Sequence, residues 1–252
     1  MTSNNNYSID DLKKWDDKIC KIAKGFGLDW YPINYEICDY YEMIGHMAYH
    51  GMPSHYNHWS YGKSFEMTHQ RYNMGMEGLP YELIINSNPS IAYLMRENPL
   101  YLQVLIMAHC VGHSDFFKHN RMFKHTDADN ILVRFKSAAK RINKYMEDPS
   151  IGIDKVERIL DAAHAVKYQV QRTPQARRRS HEEMLEFYKD VVANDKDGKY
   201  KDFDLTKIPL RPDYNLLAFI CEHSRNLEDW ERDVISIVEK ESHYFVPQAY
   251  TK

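Results

Sequence analysis

Cysteine is scarce and scattered. The four residues of this 252-residue chain, Cys20, Cys38, Cys110 and Cys221, form no CxxC pair. That excludes a zinc ribbon, a thioredoxin-type motif and a disulfide framework, and leaves reduced, mostly buried thiols. Ten glycines and ten prolines are too few for a collagenous or low-complexity chain. No apolar run approaches the roughly 18 residues of a membrane span. Met1-Thr2-Ser3-Asn4-Asn5-Asn6 has neither a basic flank nor an apolar segment, so no secretory signal is expected and the predicted address is cytoplasmic. Charge of one sign is lacking too: 33 Lys and Arg face 36 Asp and Glu. Nothing global favours a nucleic acid or an anionic membrane as partner.

Histidine and tyrosine are abundant, at 13 and 19 residues. His46, His50, His55, His58 and His69 fall within residues 46–69, and His109, His113, His119 and His125 within 109–125. Imidazoles clustered in this way point to metal or proton chemistry.

Apolar spacing predicts an amphipathic opening helix capped near Ser8 and stopped by Gly25 and Gly27. A short strand is expected within Asp29–Ile37, helices near 40–50 and 63–76, and a second strand at Tyr81–Ile85 closed by the turn Asn86-Ser87-Asn88-Pro89. From Ile91 onward the pattern reads as helical almost throughout. Its strongest segment is Leu100–Lys118, with Leu102, Leu105, Ile106, His109, His113, Phe116 and Phe117 on one broad face. Further helices are expected near 127–147, 154–170, 180–193, 213–223 and 227–245. The fold class is therefore α+β, predominantly α-helical with one small β-sheet, in a single domain.

Three constellations can carry chemistry. His109-Cys110-Val111-Gly112-His113 places two imidazoles four apart on a helix, where both reach one metal ion or simply pack as a hydrogen-bonded pair. Cys110 stands where zinc hydrolases of the HExxH type carry their general-base glutamate, which disfavours an ordinary peptidase. Glu157, Asp161 and His164 share a face of the next-but-one helix and can supply a third ligand or a supporting group; Asp115 adds a carboxylate beside the pair. His46, His50, His55, His58 and Glu66, interleaved with Trp59 and tyrosines, suit pocket walls and metal ligands equally, with His58, Trp59 and Glu66 as the candidate pocket. His119 and His125 are expected to flank the helix end. Arg177-Arg178-Arg179, followed by Glu182, Glu183 and Glu186, reads as a self-compensated helix surface.

His58-Trp59 with Gly62, the run Tyr81 to Leu94, Met107-Ala108-His109 with Gly112-His113-Ser114-Asp115-Phe116-Phe117-Lys118, Leu160-Asp161-Ala162-Ala163-His164-Ala165 and Leu227-Glu228-Asp229-Trp230-Glu231-Arg232-Asp233 occur in one order. In these the chain resembles the stage V sporulation protein R (SpoVR-like) family over nearly its whole length. The resemblance implies a cytoplasmic bacterial protein tied, in spore formers, to assembly of the spore cortex peptidoglycan, with a broader envelope or stress role elsewhere. It also implies a longer protein. After the segment matching Tyr244-Phe245-Val246-Pro247-Gln248, relatives continue into an Asn-Glu-Gly-Trp-Ala motif that resembles the helix supplying a glutamate ligand in gluzincin-type zinc hydrolases, and this chain ends before it. His119 stands where relatives tend to carry Asn, and Val166–Gln175 matches poorly.

Two functions follow as expectations. One is a divergent zincin-like protein holding a divalent metal, zinc first, at His109 and His113, and hydrolysing an amide or ester in an envelope-related substrate. The other is a non-catalytic scaffold that binds a protein partner through the His- and Tyr-rich N-terminal half. The apolar stripe Leu227, Trp230, Val234, Ile237, Val238 and Phe245 predicts self-association, or pairing with a second polypeptide, through the C-terminal helix.

Overall fold

A computed structural model describes residues 7–171, 180–200, 204–205 and 215–251. The Arg177-Arg178-Arg179 run and the start of the helix expected at 213–223 lie outside these residues. Helix α1 (Ile9–Gly25) opens on a reciprocal cap: the Asp11 amide donates to Ser8 Oγ at 3.2 Å, and the Ser8 amide donates to Asp11 Oδ2 at 3.0 Å. Strand β1 (Ile33–Cys38) follows, then α2 (Tyr40–Ala48), capped by Asp39. Gly51 reverses the chain after α2 with φ +81°, and a Cβ there would meet Leu83 at 3.1 Å and Ile85 at 3.2 Å. Only glycine both adopts that backbone and lets the α2 end lie against the next strand.

Helix α3 (Trp59–Asn73) leads to β2 (Glu82–Ile85) and β3 (Ser90–Met95). The sheet has the order β1-β3-β2, with β1 parallel and β2 antiparallel to β3. Helices α4 (Leu100–His119), α5 (Ile131–Glu147), α6 (Ile153–Ala165), α7 (His181–Ala193), α8 (Leu216–His223) and α9 (Asp229–Phe245) complete the described elements. None of the described helices is long and apolar enough to cross a membrane.

Two expectations are corrected. Residues 90–95 are a strand, although the pattern from Ile91 onward reads as helical. Every residue of β3 is buried, so its run Ile91-Ala92-Tyr93-Leu94-Met95 shows no polar alternation, and periodicity cannot tell such a strand from a buried helix. The second correction concerns α4. Its core-facing row is Gln103, Ile106, Met107, Cys110, Val111, Ser114 and Phe117, while Leu105 is 66% exposed and His109 faces outward. The two histidines therefore lie beside the buried row and not within it.

Ala92 and Leu94 pack with α1 and α4 on one face of the sheet; Ile91, Tyr93 and Met95 pack with Met43, Phe135 and Tyr244 on the other. A third cluster joins Val156, Leu160 and Ala163 of α6 to Val234, Ile237 and Val238 of α9, and takes in Tyr56 and Tyr61. Of the apolar stripe expected on the C-terminal helix, Val234, Ile237 and Val238 are thus buried within the chain, Trp230 and Phe245 are partly exposed, and Leu227, also partly exposed, precedes α9. Leu160 is wholly buried at the centre of this cluster. Leu160→Ala is expected to cost about 2–5 kcal/mol, through lost burial plus the cavity left behind, read as a lower urea midpoint at unchanged slope.

Candidate functional site

A cleft of about 1070 Å³ opens between the sheet and the α6–α9 layer. Two groups of titratable side chains each contribute part of its wall.

The first group stands where β2 meets α4. Alternation along β2 turns Glu82 and Ile84 to one face; Ile84 joins the cluster containing Ile106, Met107 and Cys110. Glu82, two residues earlier, reaches the next turn of the helix, with Oε1 3.8 Å from His109 Nε2. His109 and His113 turn their rings to each other, Nε2 to Nε2 at 2.8 Å, with the ring planes crossed at 87°. At that distance one imidazole donates to the other. An ion held by both at zinc–nitrogen distances would spread the two nitrogens to about 3.3 Å, a movement of about half an ångström. Burial raises the Glu82 carboxyl above its usual range, with His109 opposing. Burial, then His109, lowers His113. Both His113 and Glu82 line the cleft. The donor set suits a divalent cation in kind, with two imidazole nitrogens and one carboxylate. Its geometry is open: among the described residues no three His, Cys, Asp or Glu side chains converge on one point at ligand distance.

The second group surrounds α6. His58 caps α3, where Nδ1 accepts the Ser60 amide at 3.3 Å; that leaves the ring proton on Nε2, 3.2 Å from Asp161 Oδ1. The Trp59 indole donates to the same oxygen at 2.9 Å. Three residues on, His164 Nε2 lies 2.8 Å from the hydroxyl of Tyr56, which also contacts Glu241 Oε2 at 3.1 Å. His55 Nε2 stands 3.7 Å from that carboxylate oxygen and 3.4 Å from the Tyr61 hydroxyl. Burial is the first cause of every shift here. It lowers His55 to about 3 and, with His58 second, His164 to about 4. It raises Glu241 to about 8, against the Tyr56 hydrogen bond and Lys167.

The residues singled out in the sequence divide between these groups. His109 and His113 share one helix and turn to each other. Asp161 and His164 do share one side of α6, but they engage His58, Trp59 and Tyr56. His113 and His164 line one cleft without belonging to one cluster. Glu157 is half-buried and acts on His58 through its charge. Asp115 Oδ1 accepts the Asp29 amide at 2.8 Å, which ties α4 to the loop before β1. Glu66 is on the surface, bonded by the Gln70 side chain at 2.8 Å. Trp59 is half exposed. His119, the last residue of α4, contacts the Asp29 carbonyl at 2.9 Å. Three residues of these groups are not marked as site residues by the sequence: Glu82 and Glu241, which line the cleft, and Tyr56, which is wholly buried behind it. Only Glu241 carries a local signal, a charged residue three after Val238 on an otherwise apolar helix stripe.

The sequence profile described as SpoVR like protein matches residues 6–252. The chain belongs to the SpoVR family. Among curated relatives, "Uncharacterized protein YcgB" of Escherichia coli (strain K12) is 38% identical over 262 residues, covering 98% of this chain and 51% of that protein. The chain therefore spans about half the length of the SpoVR-family relative it matches. No solved structure matches it.

Acid and base should each cost stability. His55 and His164 have folded values below the ordinary 6.5, so between that value and about 3–4 the unfolded chain binds more protons, and stability falls as pH drops. Glu241 has a folded value above its ordinary 4.5, so stability falls as pH rises from there through about 8. Thermal unfolding of Glu241→Gln followed across this range is expected to lose the alkaline decline and keep the acid one.

Proposed function

We propose that this SpoVR-family chain holds a divalent metal ion, zinc first, through His109 and His113 with Glu82 as the third donor, and acts on an amide or ester bound in the adjoining cleft. The observation that carries the reading is the meeting of two imidazole nitrogens, with a partly buried carboxylate in reach, at the rim of a cavity large enough for a small-molecule or peptide-sized group. Such a metal polarises a carbonyl and lowers the pKa of bound water. The protein's own part is to keep both rings aimed, and to hold Glu82 where a side-chain rotation brings it to the pair. In this zincin-like reading the donor comes from the antiparallel edge strand β2, and Cys110, buried beneath the pair, takes no part as base. The family's link to the spore cortex makes peptidoglycan or a related envelope polymer, met in the cytoplasm as a precursor, the substrate class.

A protein partner remains the reading from another class. Trp59, Tyr40 and Tyr41 are exposed around α2 and α3, and self-association through α9 would use Leu227, Trp230 and Phe245.

Metal analysis decides the main reading. Purified without chelator or affinity tag, the chain is expected to carry about one zinc, iron or manganese ion. His109→Ala and His113→Ala should lose it, and Glu82→Gln, which removes the third donor, should weaken it by at least the roughly 10–100-fold that loss of a group merely supporting a ligand costs. Equal, substoichiometric metal in parent and His109→Ala would sink the proposal.

A further inference from the structure

Glu241 is buried, with 9% of the residue exposed, yet its two carboxyl oxygens are treated differently. Oε2 has the Tyr56 hydroxyl at 3.1 Å; Oε1 has no hydrogen-bond partner, and the residue lines the cleft. A buried oxygen left unpaired costs about 1–3 kcal/mol, and one that belongs to a residue in the wall of a cavity can be paired by a ligand atom that enters there. Behind it, Tyr56 carries one proton between two neighbours, Glu241 Oε2 and His164 Nε2 at 2.8 Å. That hydroxyl can donate to the carboxyl while accepting from the imidazole, or donate to the imidazole while accepting from the carboxyl. The two arrangements differ by proton positions alone.

We propose that Glu241 is the acid of this cleft: Oε1 presents a proton to the carbonyl oxygen of a bound neutral amide, while Tyr56 and His164 hold Oε2 and resupply the proton. The proton balance closes. When Oε1–H passes to the ligand oxygen, the carboxylate left behind takes the Tyr56 proton at Oε2; Tyr56 takes the Nε2 proton of His164; and the partly exposed imidazole takes a proton from water at Nδ1. The surroundings favour the neutral acid. His55, Tyr61, His164 and Lys167 face the carboxyl from the segment around α3 and the end of α6, and burial outweighs the one cation among these, Lys167, in raising its pKa to about 8. The site shares the cleft of the metal reading but none of its residues.

Infrared spectra of the full chain at neutral pH are expected to contain the carbonyl stretch of a protonated carboxyl, lost as pH rises through about 8 and absent from Glu241→Gln. N-methylacetamide in excess should move that band to lower frequency in the parent and equally in His109→Ala. The His164 ring resonances should respond to the same alkaline step, and Tyr56→Phe should abolish that response while leaving the band. No band in the parent, or a band that N-methylacetamide leaves in place, would overturn the proposal, and both are read on the unaltered chain whatever the variants do. A response lost in His109→Ala would place the amide on the metal side and overturn it as well.

Discussion

Burial of β3 on both faces is the constraint from which the rest of the molecule follows. A three-stranded sheet is too narrow to cover its own central strand, so helices must close both sides. On one side α4 does this, and two buried polar side chains fix how it lies. Gln103 donates to the Met95 carbonyl at 2.8 Å at one end of the strand, and Ser114 Oγ meets Ser90 Oγ at 3.0 Å at the other. Eleven residues of helix and five of strand each span about 16 Å, so both pins can be satisfied only in one register and one direction. A buried polar group that misses its partner is costly, which makes this register specific in a way that apolar packing alone is not. With 103, 107, 110, 111 and 114 turned inward, 109 and 113 can face only the edge of the sheet, where β2 carries Glu82.

The second wall has a different origin. Helix α9 is held to the sheet by the Tyr244 hydroxyl, which donates to the Asn86 carbonyl at 3.0 Å in the turn between β2 and β3. One turn back, the same helix buries Glu241 against Tyr56. Packing α6 onto α9 through Leu160 and Val238 then brings His164 to Tyr56 without any further requirement. The polar chain Glu241, Tyr56, His164 is thus carried on the apolar core, and the helix stripe accepts one charged residue at a core position. Local rules broken in this way, with a carboxyl buried and half-paired, mark sites where stability is given up for chemistry.

Helix positions were legible because amphipathic spacing is local. Ser8 and the apolar rows of α1, α5, α6 and α9 each declare themselves within one or two turns. Strand β3 was not legible, because a strand buried on both faces loses the alternation that identifies strands. The side of α4 was misjudged for a related reason: Gln103 and Ser114 look like surface residues in a sequence, and only their partners on β3 and at Tyr31 make them core. For the site, the spacing of His109 and His113 foretold that they would meet. Their nearest carboxylate did not come from α6, since Asp161 is taken up by Trp59 and His58, and it came instead from a strand that no local pattern ties to α4. The same holds for Tyr56 and Glu241, which are 185 residues apart and become neighbours only through the packing of α9.

Burial also acts oppositely on the two kinds of group that share the cleft. It strips protons from imidazoles, taking His55 to about 3 and His164 to about 4, and it keeps a proton on a carboxyl, taking Glu241 to about 8. Near neutrality the imidazoles are therefore free of protons and the carboxyl retains one, where in water the carboxyl would be ionised and the imidazoles partly charged. One low-dielectric cavity thereby holds acceptors and a donor side by side with little net charge on either. Environments that drive the pKa values of neighbouring groups apart divide acid from base roles at a single pH. In this chain the division needs no strong ion pair, because desolvation is the leading cause of each shift and Tyr56 connects the carboxyl to the imidazole.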